Sequence, residues 1–456
     1  MAPLDGSILS VALPRIGQDL GLSFESTLWV QASYLLTMAV LLVPLGRLAD
    51  HRGRLNFYLA GIALFTLGSI GAALAVDGKG IILARVVQGS GGALLSSTSA
   101  ALVTAVFPTN ERGRAMGINT MAVYAGLSIG PPLGGFLVDT LGWHWIFLMN
   151  IPIGMVVLLW GRRLRKTLQE ASGRRRLDLA GSALWGFAMI ALLLPLTLHA
   201  RWGLMSPISL GFFSASVGFF VFFLLRQRSS SDPLIDVGLL RHNPQFAFGN
   251  LAALLNYMAL HAVALLTSVW LQLIQGLSAT AAGWLMLGQP VIQSILSPIA
   301  GRLSDSVGSR PLTTAGMLLT ALGMSMLAWF GKGAGLGVIV AALMVVGTGM
   351  ASFSAPNGSS VLGSVGRDQV GLASSFLGTM RVTGMALSVA ILGGLAGGRL
   401  GEGGWTALLK DGSGGAGAAA FVWGYRAAMT TGAGFALLGA VACLAKRRGA
   451  VTSTDN

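Results

Sequence analysis

The sequence predicts an all-α polytopic membrane protein. Three observations carry that expectation. First, 54% of the 456 residues are hydrophobic and only 10% are charged, against about 25% charged in a soluble domain. Second, apolar runs of about 18 residues or more, each long enough to cross a bilayer, recur along the whole chain; a membrane barrel would show short alternating strands instead. Third, one charged sentence is written twice: GRLADHRGR from Gly46 to Arg54 and GRLSDSVGSR from Gly301 to Arg310, 255 residues apart. The mean hydropathy of +0.73 agrees with the first two.

Fourteen candidate spans follow in order, centred near Ile8, Met38, Thr66, Gly91, Ala125, Ile153, Met189, Val217, Met258, Val291, Thr320, Met344, Gly384 and Ala433. The Gly-rich stretch from Gly398 to Ala420, containing DGSGGAG, reads as a flexible outer loop. Abundant glycine, 65 residues, suits close helix packing in lipid.

Lys and Arg set the orientation. One series of loops holds 18 of them, from Arg47, Arg52 and Arg54 through Arg162 to Lys166 and Arg174 to Arg176 to Arg367. The tail adds Lys446, Arg447 and Arg448. The opposite loops hold seven: Arg15, Lys79, Arg201, Lys332, Arg399, Lys410 and Arg426. Both termini are therefore expected in the cytosol, with the chain in the cytoplasmic membrane. The two remaining cations, Arg85 and Arg381, lie inside spans.

Both copies of the repeated sentence fall on cytosolic loops, after the second and tenth spans. Any short cytosolic loop collects Gly and Arg, but that does not explain the shared Leu, Asp and second Gly. An internal duplication does, with two parallel halves that rock about a central site. The expected units are an N-terminal bundle 1–162, a basic cytosolic loop 163–176 and two inserted helices 177–228. A cytosolic linker 229–245, a C-terminal bundle 246–448 and a tail 449–456 complete the chain.

Several classes are excluded. The net charge of +14 sits in short loops between apolar runs, so no nucleic-acid partner is expected. Cys443 is the sole cysteine, so no intramolecular disulfide forms. No Walker loop, metal-ligand spacing or GxSxG elbow is present. No enzyme activity, catalytic residue, metal or cofactor is expected, and an ATP-driven pump is disfavoured. The chain does not open with a cleavable signal pattern.

GRLADHRGR resembles the loop signature of the major facilitator superfamily, between its second and third helices. The resemblance continues through LDGSILSVALP, RVVQGSGGALL, GLSIGPPLGG, WHWIFLMNIPIG and SVWLQLIQGLSATAAG, nearly the whole chain. It is similar to the fourteen-helix drug:proton antiporter branch, relatives of bacterial multidrug exporters. The fold this implies is two six-helix bundles plus two inserted central helices.

Asp5 is the first candidate. An ionised carboxylate in hydrocarbon costs at least ~2.5 kcal/mol, which makes intramembrane acids functional by default. With the span's outer end near Pro14 and Arg15, Asp5 lies about 14 to 15 Å from it, half of a ~30 Å core. The resemblance makes it a proton-coupling residue; the alternative is a partly solvated helix-start acid. Only four residues precede it, fewer than in relatives. A span so short leaves Asp5 open to the cytosol, or else the true start lies upstream.

Arg85 and Gln88 share a helix face one turn apart. An intramembrane Arg must meet an anion, backbone carbonyls or water, and the resemblance implies proton exchange beside the first-helix acid. Gly126 and Gly130 form a small-x-x-x-small face, and Pro131 removes an amide donor and kinks the helix. With Gly134 and Gly135 they predict a bent, apolar seam, which the resemblance links to antiporters that export. Asp139, near Trp143 and Trp145, reads as an interfacial acid.

The resemblance implies that Gly46, Arg47, Asp50, Gly53 and Arg54, with Gly301, Arg302, Asp305 and Gly308, form a cytosolic gate. The two later glycines permit tight turns, and each Asp is placed to cap or face a helix N-terminus. His51 stands where the family carries an arginine. Tyr257 with His261, and Gln289 with Gln293, are i,i+4 pairs that face either a substrate cavity or a neighbouring helix, and Arg381 joins them as a cavity candidate. Trp284 suits planar cations or lipophilic substrates.

The expected activity is proton-coupled antiport of amphipathic drugs or toxic metabolites by alternating access, by a monomer whose partners are the bilayer, protons and a small amphipathic substrate. Two other readings stand beside it: a facilitator or exchanger for a nutrient, and a non-transporting membrane sensor on the same fold.

Overall fold

The computed structural model describes residues 1–107, 111–164, 178–198, 202–229, 234, 237–329, 335–366 and 369–445, and no strand occurs among them. In hydrocarbon no water satisfies a free amide, so segments that close their own hydrogen bonds are favoured. The first half comprises α1 (Ala2–Asp19), α2 (Phe24–Arg52), α3 (Arg54–Ala73), α4 (Gly78–Val106), α5 (Arg112–Thr140), α6 (His144–Leu148) and α7 (Asn150–Leu164). Then come α8 (Leu179–Thr197), α9 (Pro207–Ser229) and the short α10 (Val237–His242). The second half comprises α11 (Pro244–Val269), α12 (Ala279–Met286), α13 (Gly288–Val307), α14 (Ser309–Trp329), α15 (Leu336–Leu362) and α16 (Val370–Ser388), then α17 (Gly394–Gly397), α18 (Gly401–Asp411) and α19 (Ala416–Ala445). Short π-helical turns, Trp270–Ile274 and Val389–Gly393, extend α11 and α16.

Among the described residues, 11 helical segments are long and apolar enough to cross a membrane. The α1 helix, α4 and the broken pair α12–α13 complete fourteen crossings. An even number returns the chain to its starting side. That side is the terminal face here, and the other is the distal face.

The halves repeat each other's packing. The α1 helix lies on α5 as α11 lies on α16; α3 lies on α4 as α14 on α15; α2 lies on α4 as α13 on α15. Between halves, α5 meets α12 and α16 meets α2. Close approach depends on glycine, because lipid offers no hydrophobic gain for helix pairing. A Cβ on Gly61 would stand 3.1 Å from the Gly91 carbonyl oxygen, and one on Gly316 2.6 Å from that of Gly349. Gly61 and Gly316 keep the 255-residue offset of the repeated loops.

The inserted pair packs α8 on α9 and sets α8 against α2. Trp185 is buried there, its Nε1 donating to the Ala39 carbonyl at 3.1 Å. Asp178 caps α8 by accepting from Gly181 N at 2.9 Å, and Arg226 Nε of α9 donates to it at 2.7 Å.

Two expectations change. The first span does not stop near Pro14: α1 runs to Asp19 with Pro14 inside, and Arg15 pairs with Asp19 at 3.1 Å. Proline forfeits one amide bond without ending the helix when neighbours hold it. The stretch from Gly398 to Ala420 is no featureless loop, because it contains α18. Trp405 is fully buried there, donates Nε1 to the Leu22 carbonyl at 2.9 Å and stacks edge-on to Phe24 at 5.0 Å. Burying an indole outweighs the local glycine content. Finally, residues 165–177 of the expected basic loop, most of the linker between 230 and 236, and 446–456 lie outside the described residues.

Candidate functional site: a buried ion cluster, a glycine seam and a one-sided closure

Four elements deliver a polar cluster into the first half. Arg85 Nη1 of α4 donates to Asp5 Oδ2 of α1 at 2.7 Å. Gln88 Nε2 and Asn150 Nδ2 donate to Asp5 Oδ1 at 2.8 and 3.0 Å. Ser69 Oγ of α3 receives Gln88 Nε2 at 3.0 Å and Asn150 Nδ2 at 3.3 Å. All three bonds at Asp5 are donated to it, the pattern a carboxylate accepts. Arg85 also gives Nε to the Val30 carbonyl at 3.0 Å, donates to Gln88 Oε1, and sits over the Tyr34 ring at 4.4 Å.

Solvent reaches 0% of the Arg85 side chain and 2% of that of Asp5. Asp5 is thus not open to the terminal face in this conformation; Arg85, Gln88, Ser69 and Asn150 enclose it. With α1 ending at Asp19, fourteen residues separate Asp5 from the helix end, about 21 Å. Among the described residues, the second half holds no matching ion pair. Gly68 packs on Gln88 while its counterpart Gly323 packs on Val346.

The seam glycines divide between two neighbours. A Cβ on Gly126 would meet Leu4 at 3.4 Å, on Gly130 Ser7 Oγ at 1.8 Å, and on Gly134 Ile8 at 3.0 Å. These three face α1, where Ser7 Oγ donates to the Gly126 carbonyl at 3.3 Å. Gly135 faces the other half, 2.3 Å from the Ala279 carbonyl oxygen by the same measure, and the Pro131 carbonyl lies 2.2 Å from a Cβ on Gly283.

Asp139 does more than sit at an interface. Its carboxylate accepts from Ala279 N at 3.3 Å, Thr280 N at 2.7 Å and Thr280 Oγ1 at 2.6 Å. It therefore caps the start of α12 across the two halves. Gln272 Nε2 donates to the Val11 carbonyl at 2.9 Å, and Gln31 and His261 meet Nε2 to Nε2 at 2.9 Å. With the amide as donor, the ring proton sits on Nδ1. These contacts cluster toward the distal face, so that side is closed; Ser128 and Ser294 touch at 3.5 Å nearer the centre.

At the terminal face, Gly53 and Gly308 take φ of +101° and +86°, the turns expected of the two repeated loops. Asp50 does not cap a helix; it pairs with Arg54 at 2.7 Å, both about half exposed, because the turn at Gly53 brings that guanidinium within reach. Gly46, Arg47 and Asp50 line a small groove with Gly371, Ser375 and Phe376 of α16. Gly301, Arg302 and Asp305 lie on the partly or fully exposed end of α13.

Among the cavity candidates, Arg381 lies over the Tyr257 ring at 5.9 Å. Gln293 is buried and the Gln289 carbonyl lies 2.5 Å from a Cβ on Gly347; no hydrogen bond among the described residues joins either to Tyr257, His261 or Arg381. Trp284 is 62% exposed near the start of the tenth span, its neighbours Ala282 and Gly283 being the buried ones. Its indole is therefore largely uncovered in this conformation. Asn150, Ser69, Gln31 and Tyr34 were not singled out from sequence. Asn150 had a signal: a lone amide within the apolar run IFLMNIPIG.

Two duplicated bundles, closed against each other at the distal face, with an ion pair buried inside the first, define a membrane transporter of the two-bundle class. The chain belongs to the Major Facilitator Superfamily, whose family model matches residues 1–240 and 249–455. It is 35% identical over 393 residues to the multidrug resistance protein Stp of Mycobacterium tuberculosis, covering 86% of this chain and 72% of that one. It is 31% identical over 392 residues to the riboflavin transporter RibZ of Clostridioides difficile, covering 86% and 84%. A solved bacterial homologue of the human lysosomal transporter Spinster, inward-facing and unoccupied, shares the fold with a TM-score of 0.67 at 16% identity, covering 98% of this chain and 94% of that one.

Proposed function

We propose that this transporter is a proton-coupled antiporter that exports small amphipathic compounds from the cytosol. The observation that carries the reading is Asp5, a carboxylate buried in the first half and paired to Arg85. An intramembrane acid with fixed partners is suited to exchange a proton for a conformational change. The 21-to-7 split of loop and tail cations supports a cytosolic terminal face and a place in the cytoplasmic membrane. The distal closure then makes this the state that receives substrate from the cell interior.

The cycle runs in four steps. Substrate enters from the terminal face between the halves. The halves rock, the contacts at Asp139, Gln272 and Gly135 part, and the paired gate loops close. Substrate leaves and a proton reaches Asp5, taking the place of Arg85 as its partner. The protonated form returns, releases the proton to the cytosol, and the ion pair re-forms. The driving force is the proton gradient plus about 2.3 kcal/mol per charge per 100 mV. The unit of function is the monomer.

One observation favours a second reading, nutrient uptake or exchange: the similarity to a riboflavin transporter. Proteoliposomes loaded with a pH dye separate the two. Under an inward proton gradient, export coupling predicts substrate-dependent proton flux opposite to substrate movement, abolished by Asp5→Asn. Substrate movement without proton flux overturns the proposal and supports the facilitator.

A further inference from the structure

We infer that the space between the halves selects substrates that carry a negative charge on a flat apolar body, and that Arg381 meets that charge. The inference names the substrate class of the export reading and rests on it for direction of transport.

Arg381 lies eleven residues after Val370, where its membrane-spanning segment begins, about 16 Å in and near the middle of the core. A fixed cation at that depth requires an anion, carbonyls or water. The two intramembrane arginines answer this requirement differently. Arg85 is fully buried against Asp5, Gln88 and the Val30 carbonyl. Arg381 is partly exposed and lies over the Tyr257 ring at 5.9 Å. Among the described residues, no carbonyl or carboxylate accepts from its guanidinium. Among the described residues, the one carboxylate deep within a spanning helix is Asp5, already held by Arg85.

The surroundings define the rest of the ligand. Gly384 packs span thirteen on span nine, where a Cβ would meet the Leu254 carbonyl at 2.6 Å. This puts Arg381, one turn earlier, beside Tyr257. A Cβ on Gly358 of the twelfth span would stand 3.6 Å from Arg381 Nη2, so a glycine leaves the guanidinium room on that side. Met258, His261 and Met385 are partly exposed on the same two spans. The site thus offers a guanidinium fork for a carboxylate or phenolate, an aromatic face for a ring and pliable thioether walls. A cationic substrate would meet an uncompensated like charge in low dielectric.

Fluorescein and rhodamine 123 share a xanthene ring and differ in charge, which makes them a matched pair. Equilibrium binding to the full-length protein in nanodiscs, read by fluorescence anisotropy without any proton gradient, tests charge selection alone. The expected result is fluorescein bound at least about tenfold tighter than rhodamine 123, the size of one charge-assisted hydrogen bond. Arg381→Gln should bring the two dyes within about twofold, and Arg381→Lys should retain part of the preference. Tighter binding of rhodamine 123, no saturable binding of fluorescein, or unchanged fluorescein affinity in Arg381→Gln overturns the inference. If Arg381→Gln does not fold, the wild-type ratio and Arg381→Lys decide. A second arm imposes a proton gradient on proteoliposomes. Retained anion preference without gradient-driven dye movement sinks the export reading and leaves charge selection standing.

Discussion

Arg85 Nη1 stands 2.7 Å from Asp5 Oδ2, and the two residues are 80 positions apart on different helices. Removing one partner of a buried pair leaves the other charge uncompensated, at a cost of about 3–5 kcal/mol. Asp5→Asn should therefore lower the melting temperature in detergent while the protein still reaches the membrane, and should abolish proton-coupled efflux. The double change Asp5→Asn with Arg85→Gln should recover most of the stability but none of the transport. If Asp5→Asn still concentrates substrate against a gradient, Asp5 is not the proton carrier.

The seam glycines should separate by neighbour. Alanine at Gly130 meets both Oγ and, at 2.8 Å, Cβ of Ser7, so Ser7→Ala should rescue Gly130→Ala only in part and Ser7→Gly should rescue it further. Alanine at Gly135 meets the Ala279 carbonyl at 2.3 Å, which no rotamer change relieves. Overpacking of this kind costs about 1–3 kcal/mol, and it falls only on the state closed at the distal face. Gly135→Ala should thus lengthen the distance between spin labels on α5 and α12. An unchanged distance distribution would contradict the assignment of Gly135 to the closure.

Asp139 should act on the same equilibrium through hydrogen bonding. Asp139→Ala strips an N-cap, worth about 0.5–2 kcal/mol, and should favour opening of the distal face about two- to thirtyfold. Maleimide labelling of a cysteine introduced beside the closure reads this directly, since Cys443 is buried and silent. Asp139→Asn keeps one acceptor oxygen and should show a smaller effect.

The inserted helices carry a pH-sensitive joint at Asp178. Burial pushes its carboxyl up, but the Gly181 amide, Arg226 and Gln227 outweigh that and hold it below the ordinary 3.8. A carboxyl lowered in the folded state stabilises the fold fully above its unfolded value and loses the contribution as pH falls through the folded value. Tethering of α8 to α9 should therefore be complete above about pH 4 and fade below it. Asp178→Asn should remove this acid dependence from thermal unfolding while retaining the cap, and Asp178→Ala should cost about 0.5–2 kcal/mol more at neutral pH. The same acid transition in Asp178→Asn would assign it elsewhere.

Hydropathy, charge in short loops and the repeated Gly-Arg-Leu-x-Asp sentence are properties of the chain read in one dimension. They determined the helical membrane class, the duplication and most of the crossings, because a crossing of that kind is set by its own length and apolarity, and they marked Asp5, Arg85 and Gln88 as candidates. Three-dimensional packing decided what those residues do together. Asn150 reaches Asp5 across 145 positions, Asp139 caps a helix of the other half, and Trp405 pins a glycine-rich stretch that reads as loose. Arg85 and Arg381 look alike as single cations within apolar runs. Only the packing of helices distant in sequence gives one a carboxylate and leaves the other without, since partners are chosen by proximity in space.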